Sequence, residues 1–438
     1  MLKQEDNELI TRVGPGTPMG NFMREYWVPA LLSSELPAPD ADPVRVLLLG
    51  EKLIAFRDTN GSVGLLANNC PHRGASLFFG RNEECGLRCV YHGWKFAADG
   101  TCVDMPNEPA ESDFRTKVKA TAYPTQERGG IVWAYLGPRP EPPPLPDIEA
   151  TALPAETLSV GAVQRECNWL QALEGDIDTS HFGFLHFGAT DPESVEPDTF
   201  QFYTLKDRSP RYAVLDADYG ATYGAYRPAQ PGLLYWRIAH FLFPCWTMIP
   251  TGVLGLQKIA RAWVPMDDEH TMFFTVSPKP AVDPDHARPY PRKIPLVGPL
   301  LPNTSDWYGR FRLANNPTND YHIDRGMQRR GEDYTGIRGI FDQDQAVTES
   351  MGPVYDRSTE HLGSSDAMVI RVRRRLLGAA DELAAHGTVP YSVDHPAVYR
   401  QRSGGVFLPE GADWWAATAA LRTAYLDHPE LDPTLARL

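Results

Sequence analysis

Six cysteines in 438 residues are too few for a disulfide scaffold. No run of ~18 apolar residues occurs, so no membrane span is expected. The N-terminal stretch MLKQEDNELITRVG carries acids and lacks an apolar core, so it does not read as a secretory signal. Basic residues are also short: 42 Lys and Arg stand against 56 Asp and Glu, a formal charge of −14. That argues against a nucleic-acid partner, because phosphate binding needs basic patches. It leaves room for an anionic small molecule, since one pocket can be basic inside an acidic protein. These absences point to a cytoplasmic protein in reducing surroundings, where grouped Cys and His more often bind metal than pair. The length suggests about two domains.

The first third reads as β-structure. Residues 44–57 hold two short apolar runs split at Gly50-Glu51, and Asn60-Gly61 is a two-residue hairpin signal. Strand-like pieces follow at Cys89–Phe96 and Gly130–Leu136, as expected of a small sandwich or barrel. Residues 137–146, GPRPEPPPLP, form an extended connector that continues neither a helix nor a central strand. The boundary is placed there, giving parts 1–146 and 147–438. In the second part, residues 164–187 read as helical or partly helical and residues 197–277 as a β-meander. Residues 285–303 read as a Pro-rich loop and residues 304–386 as mostly helical. Within the last segment a helix is expected over Asp366–Ala385, capped by Ser364 or Ser365 and stopped at Gly387.

Two constellations carry chemistry. In the first, Cys70-Pro71-His72 and Cys89-Val90-Tyr91-His92 each place one thiolate and one imidazole on a tight loop, with 16 residues between. Two Cys and two His suit a tetrahedral zinc, or a cluster in which two His replace two Cys on one iron. Zinc fingers usually pair Cys with Cys and His with His, whereas each loop here is mixed, with Gly74 and Gly93 just beyond. Cys85, Cys102, Cys167 and Cys245 are most simply structural thiols.

The second is Asp178-x-x-His181-x4-His186. Asp178 and His181, three apart, share a helical face. His186 lies five beyond His181, about 140° away on an ideal helix. If both bind one ion, the backbone must kink, bulge or end between them, where Gly183 sits. Alone, such a pair is as well read as two half-buried structural histidines. With one carboxylate it would leave an iron open positions for oxygen and substrate. Asp342, Asp344, Glu349 and Asp356 are the acids available further along.

The stretch ANNCPHRGASLFFGRNEECGLRCVYHGWKF resembles the paired loops of Rieske ring-hydroxylating oxygenases. PMGNFMREYWVPALLSSELP, RVLLLGEKLIAFRD, WVPMDDEHT and DQDQAVTESMGPVYDRSTEHLGSSD are similar to the phthalate dioxygenase branch, so the likeness covers nearly the whole chain. It implies an α+β fold: an N-terminal Rieske 2Fe-2S β-domain, then a helix-grip (START-like) catalytic domain on antiparallel sheet. It implies Cys70, His72, Cys89 and His92 as cluster ligands, and His181, His186 and Asp344 as ligands of a mononuclear Fe(II), with Asp342 the runner-up. Respiratory Rieske proteins add two clamping cysteines. Ala75 and Tyr91 fall there, which matches the lower-potential oxygenase type.

The resemblance further makes Asp178 an inter-subunit electron bridge, from His92 of one subunit to His181 of the next. Many members carry an Asn three residues before this acid. Gly175 stands here, so Glu174 or Gln171 is expected to orient Asp178 instead. A separate flavin or 2Fe-2S reductase, O2 and an aromatic substrate are the implied partners, in a trimer or a stacked hexamer. The implied reaction is hydroxylation of an aromatic carboxylate, with O-demethylation or monooxygenation of a substituted aromatic acid as the alternative. A substrate carboxylate would call for Arg; Arg211, Arg227, Arg237 and Arg261 are the candidates. Arg227 and Arg237 stand beside Tyr226 and Trp236, as in an aromatic-lined pocket. Two other classes compete: a Rieske electron carrier, which the long second part disfavours, and a zinc-stabilised binding module.

Overall fold

The computed structural model describes residues 2–109, 111–195, 197–279 and 297–431. Three small antiparallel sheets build the N-terminal part. One pairs Trp27–Leu32 with Ile131–Tyr135 and Thr125–Arg128, and a second joins Val44–Leu48, Glu51–Arg57 and Val63–Ala67. The third, Arg81–Glu83, Gly86–Arg88, Lys95–Phe96 and Cys102–Asp104, carries the cysteine loops.

The turns differ from expectation in an instructive way. The two-residue hairpin is Leu49-Gly50, where both residues have positive φ and Leu48 pairs with Glu51. Asn60-Gly61 lies in a longer loop, because the Asp58 carboxylate accepts the N–H groups of Asn60 (2.9 Å) and Ser62 (2.8 Å) and holds it open. Cys89–Trp94 is a loop rather than a strand, which begins only at Lys95.

The second part is organised by one eight-stranded antiparallel sheet. Its order runs Leu158–Arg165, Thr271–Pro278, Ala260–Pro265, Trp246–Met248, Leu233–Leu242, Gly220–Pro228 and Arg211–Ala217, with Gly404–Pro409 also paired to Leu233–Leu242. The long helix Ala367–His386 packs on Gly220–Pro228 and Arg211–Ala217 and on the N-terminal helices Gln4–Thr11 and Pro18–Arg24. Gly387 ends it in the left-handed conformation (φ 67°). Its start has no side-chain cap from Ser364 or Ser365, which lie in a 3-10 turn instead.

The stretch read as a meander opens with a helix, Phe200–Lys206, capped by the Thr199 hydroxyl, and its strands begin at Arg211. Residues 304–386 are less helical than their composition suggests. Only Arg325–Arg330, Ile340–Glu349 and Ala367–His386 are α-helical, and the remainder is turns held by Asn and Asp side chains. Of the Pro-rich 285–303, residues 285–296 lie outside the described residues; 297–303 carry one isolated bridge, Leu300 to Leu313.

The cores do not follow the Pro-rich connector. One continuous core joins Ile10, Phe22, Trp27 and Trp133 of the first part to Trp169, Phe241 and Trp246 of the second. The cysteine loops rest on a separate small core that includes Ile54, Phe56, Leu66, Leu87 and Phe96. Among the described residues no helix is long and apolar enough to cross a membrane.

Candidate functional site

The two cysteine loops are the same turn used twice. Cys70 N–H donates to the Ala75 carbonyl (2.8 Å) and Gly74 N–H returns to the Cys70 carbonyl (2.9 Å). Cys89 and Trp94 repeat the first bond at 2.8 Å, and Gly93 and Cys89 the second at 2.9 Å. Both glycines need positive φ, 73° and 80°, which side chains resist. The turns bring His72 and His92 to a ring separation of 4.4 Å, and His72 stacks on Trp94 at 4.3 Å. Cys70 and Cys89 are buried, and burial pushes the Cys70 thiol up to about 11. His72 Nδ1 is buried without a hydrogen-bond partner. A buried thiol pair beside an orphaned imidazole nitrogen fits a metal cluster better than it fits an empty polar pocket. All six cysteines are free.

The second constellation lies where the helix Trp169–Ile177 ends. Asn168 caps that helix through Leu170 N–H (3.1 Å), and Trp169, Leu170, Leu173 and Ile177 bury its apolar side. The chain turns extended at Asp178 and enters a 3-10 turn at His181–Gly183. Asp178 and His181 therefore meet across a turn, with 3.6 Å between Asp178 Oδ2 and His181 Nδ1, and do not share a helical face. Beyond it Phe187 N–H reaches back five residues to the Phe182 carbonyl (3.1 Å), a π-type widening. This aims both imidazoles at one point: His181 Nε2 and His186 Nε2 are 3.2 Å apart.

Asp344, on the helix Ile340–Glu349, completes the group. Its Oδ1 is 3.2 Å from His186 Nε2 and 3.7 Å from His181 Nε2. All three donor atoms lie within 4.8 Å of one another. Spacing of about 3 Å is what one first-row ion with bonds of about 2.0–2.2 Å imposes on adjacent ligands, so the donor set fits a two-histidine, one-carboxylate iron. Burial works to raise the Asp344 carboxyl, but the two imidazoles hold it below the usual carboxylate range. Asp342, two residues earlier, faces the other side of its helix and accepts from Gly298 N–H (3.0 Å) and Asn315 Nδ2 (2.7 Å). Glu349 is occupied by Glu166 N–H and Gln345 (both 2.7 Å), and Asp356 is exposed.

The groups that orient the histidines differ from expectation. Glu174 is tied up by Arg357 and Arg373, and Gln171 by the carbonyls of Thr348 and Gly352. Ser180 orients Asp178 instead, through its N–H (2.7 Å) and hydroxyl (2.6 Å) to Oδ1. His186 Nδ1 is 2.8 Å from Gln343 Oε1, and Gln343 Nε2 donates to the Ile337 carbonyl (2.8 Å). The Gln343 amide is thereby fixed as acceptor, which leaves His186 Nε2 free as a lone-pair donor.

A cavity of about 160 Å³ opens beside this triad; His181 and Asp344 are on its wall, with Phe182, Phe200 and Phe341. Of the candidate arginines it takes in Arg237 and Arg261 and leaves out Arg211 and Arg227. Strand parity explains this. Arg237 pairs with Ala225, and Ala225 with Tyr212, so Arg211 falls on the opposite face, where it is exposed. Tyr226 and Trp236 also fall on that opposite face and stack on each other (4.4 Å), away from the cavity. Arg227 shares the face of Arg237 but sits further along, donating Nε to the Asp207 carbonyl (2.7 Å). The aromatic wall comes instead from Phe200 and Phe182, whose rings lie 3.9 and 4.9 Å from the Arg237 guanidinium. Nothing in the strand pattern could have named them.

Residues 26–123 match the family model described as "Rieske [2Fe-2S] domain", and residues 134–433 the one described as "LigXa C-terminal domain like". The chain is 48% identical over 428 residues to a 3-chlorobenzoate-3,4-dioxygenase oxygenase subunit of Comamonas testosteroni, covering 95% of this chain and 98% of the relative. The chain belongs to the Rieske oxygenase family. It is a Rieske-type oxidoreductase, and its cofactors are a 2Fe-2S cluster and a mononuclear iron. A phthalate 4,5-dioxygenase oxygenase subunit of Pseudomonas putida is 39% identical over 395 residues, 86% of each chain. A solved structure of dicamba monooxygenase bound to dicamba shares the fold (TM-score 0.56, 19% identity, 84% of this chain and all of that one). The α+β architecture and the antiparallel sheet of this Rieske oxygenase agree with the expectation drawn from its sequence.

Proposed function

We infer that this chain is the terminal oxygenase component of a multicomponent system. It hydroxylates an aromatic carboxylate with O2, using electrons that a separate reductase draws from NAD(P)H. Arg237 carries the substrate class. It is fully buried, borders the same cavity as His181 and Asp344, and among the described residues has no acid within ion-pair distance. Its Nη1 donates to the Thr179 hydroxyl and its Nε to the Pro250 carbonyl (3.3 Å), while Nη2 has no partner. Burial lowers this guanidinium to about 10, so it stays charged at neutral pH. A buried cation without a counter-ion is costly, and an anionic ligand removes that cost.

In this reading residues 1–146 form the electron-accepting part and residues 147–438 the catalytic part. Cys70, His72, Cys89 and His92 hold the cluster, and His181, His186 and Asp344 hold the iron. When bound, that iron supplies the binding and reductive activation of O2. Arg237 clamps the substrate carboxylate, Phe182 and Phe200 hold the ring and exclude water, and Gln343 and Asp178 keep the two imidazoles in register. His92 and its exposed neighbours Val90 and Tyr91 support a docking role at the 178–186 turn of a neighbouring copy. Asp178, with a quarter of its side chain exposed, then links His92 of one subunit to His181 of the next in a trimer or stacked hexamer. None of the six cysteines is in a disulfide, which supports a reducing cytoplasm.

Oxygen uptake with reductase and NADH, screened over aromatic acids, tests this reading. Uptake coupled to a hydroxylated aromatic acid, and its loss in Arg237→Gln, is expected. Formaldehyde release from methoxylated acids alone points to O-demethylation. Uptake only with neutral aromatics overturns the carboxylate assignment.

A further inference from the structure

The cavity has a second cation that is already taken. Arg261 borders it, its guanidinium 5.0 Å from the Phe341 ring, but its Nη1 lies 2.6 Å from Asp176 Oδ1, and Asp176 borders the cavity too. Asp176 Oδ2 accepts from Trp263 Nε1 (2.8 Å) and the Thr247 hydroxyl (2.7 Å). Three donors on two adjacent sheet strands, Arg261 and Trp263 on one and Thr247 on the other, therefore fix this carboxylate. Both partners of the pair are largely buried, with side-chain exposures of 14% for Arg261 and 9% for Asp176. A buried pair held this way does not open to receive another anion without leaving one charge unpaired.

The charges on the cavity wall thus sum differently from a count of arginines. Among the described residues two guanidiniums border it, but Asp176 cancels one, and only Arg237 presents an unmatched positive charge. The volume, about 160 Å³, fits one substituted benzene ring. On the reading that Arg237 binds a substrate carboxylate, we propose that Asp176 is a specificity-determining residue that locks Arg261 and restricts the cavity to aromatic monocarboxylates. A second carboxylate on the ring meets the fixed Asp176 anion and finds no further free cation among the described residues. Discrimination comes from a repulsive element as much as from an attractive one.

Anaerobic calorimetric titration of the metal-replete protein tests this without turnover. Wild type is expected to bind benzoate or 3-chlorobenzoate at least about 100-fold more tightly than any of the three benzenedicarboxylates. Asp176→Asn frees Arg261 and is expected to tighten at least one dicarboxylate about 10-fold, with monocarboxylate affinity changing less. Adding Arg261→Gln to that variant is expected to abolish the gain. An unchanged ratio in Asp176→Asn overturns the proposal while leaving the monocarboxylate site standing. If wild type binds neutral aromatics but no monocarboxylate, the underlying carboxylate reading falls with it. Arg237→Gln provides an arm that leaves the pair intact. If Arg261 is locked, monocarboxylate affinity falls about 100-fold; affinity that is retained and then lost on adding Arg261→Gln means Arg261 is available and overturns the proposal, whereas affinity retained in that double variant too removes the Arg237 reading.

Discussion

The two metal regions are built on opposite plans. The cluster loops are local: four side chains within 23 residues, on one turn repeated with the same two hydrogen bonds. The catalytic region is assembled from a distance. His181 and His186 come from a turn, Asp344 from a helix more than 150 residues on, and Arg237 and Arg261 from the sheet. The first plan fixes a cofactor with little dependence on the rest of the fold. The second leaves the metal geometry to a turn and a helix, and in the proposed reading the sheet around it sets the substrate. Even the two imidazoles of the second region differ, since His181 is backed by a carboxylate and His186 by an amide.

The largest effect is expected from His181→Ala. Turnover should be lost and the mononuclear iron should disappear, while the visible absorption and sulfide content of the cluster stay intact. Metal analysis and absorption spectra on one sample check both halves. Loss of the cluster as well would mean the regions are not independent.

Gln343→Leu removes only the amide behind His186. Iron affinity or activity should fall about 10–100-fold, with the cluster unaffected, as judged by chelator competition.

Within the cluster region the two loops can be set against each other. Gly93→Ala places a methyl 2.5 Å from the Pro106 ring at φ 80°, whereas at Gly74 the nearest atom is 3.9 Å away. Gly74→Ala should cost about 1–2 kcal/mol from the positive φ alone, and Gly93→Ala more, with cluster loss on mild heating. Equal thermal loss of cluster absorbance in the two would show that the loops are not distinguished by Pro106.

The smallest effect concerns pH. His240, in the strand Leu233–Leu242, is fully buried between the Tyr219 hydroxyl (2.9 Å) and the Arg402 carbonyl (3.1 Å), and burial lowers it from 6.5 to about 3. Between those values the unfolded chain binds a proton that the folded chain refuses. Stability is therefore full above pH 6.5 and falls as pH drops, by up to about 1.4 kcal/mol per pH unit from this group. His240→Gln should flatten the slope of the unfolding midpoint between pH 6.5 and 5. An unchanged slope would assign the acid sensitivity to other groups.

The contrast also explains what could be read from sequence. The cysteine and histidine quartet stood out because spacing within a loop survives in the linear chain. The pair His181 and His186 was visible for the same reason, although the helix ends before them. Asp344 required resemblance, since four acids were equally plausible by type. Arg237 could be proposed but not separated from Arg211 or Arg227 until strand parity and register were known. Tyr226 and Trp236 misled, because neighbours along a strand face opposite sides. Gln343 and the Asp176–Arg261 pair were missed as such, because partnership across the fold leaves no local pattern; Ser180, two residues from Asp178, was missed although its turn is local.

In this reading the local region supplies electrons and the assembled region uses them, with Asp178 between. Asp178→Asn, with both metal sites filled and the cluster reduced, tests it in a single turnover with O2 and a bound aromatic acid. Reoxidation of the cluster, followed by absorbance, is expected to slow about 100-fold or more while metal content and substrate affinity hold. Reoxidation at the wild-type rate would contradict it.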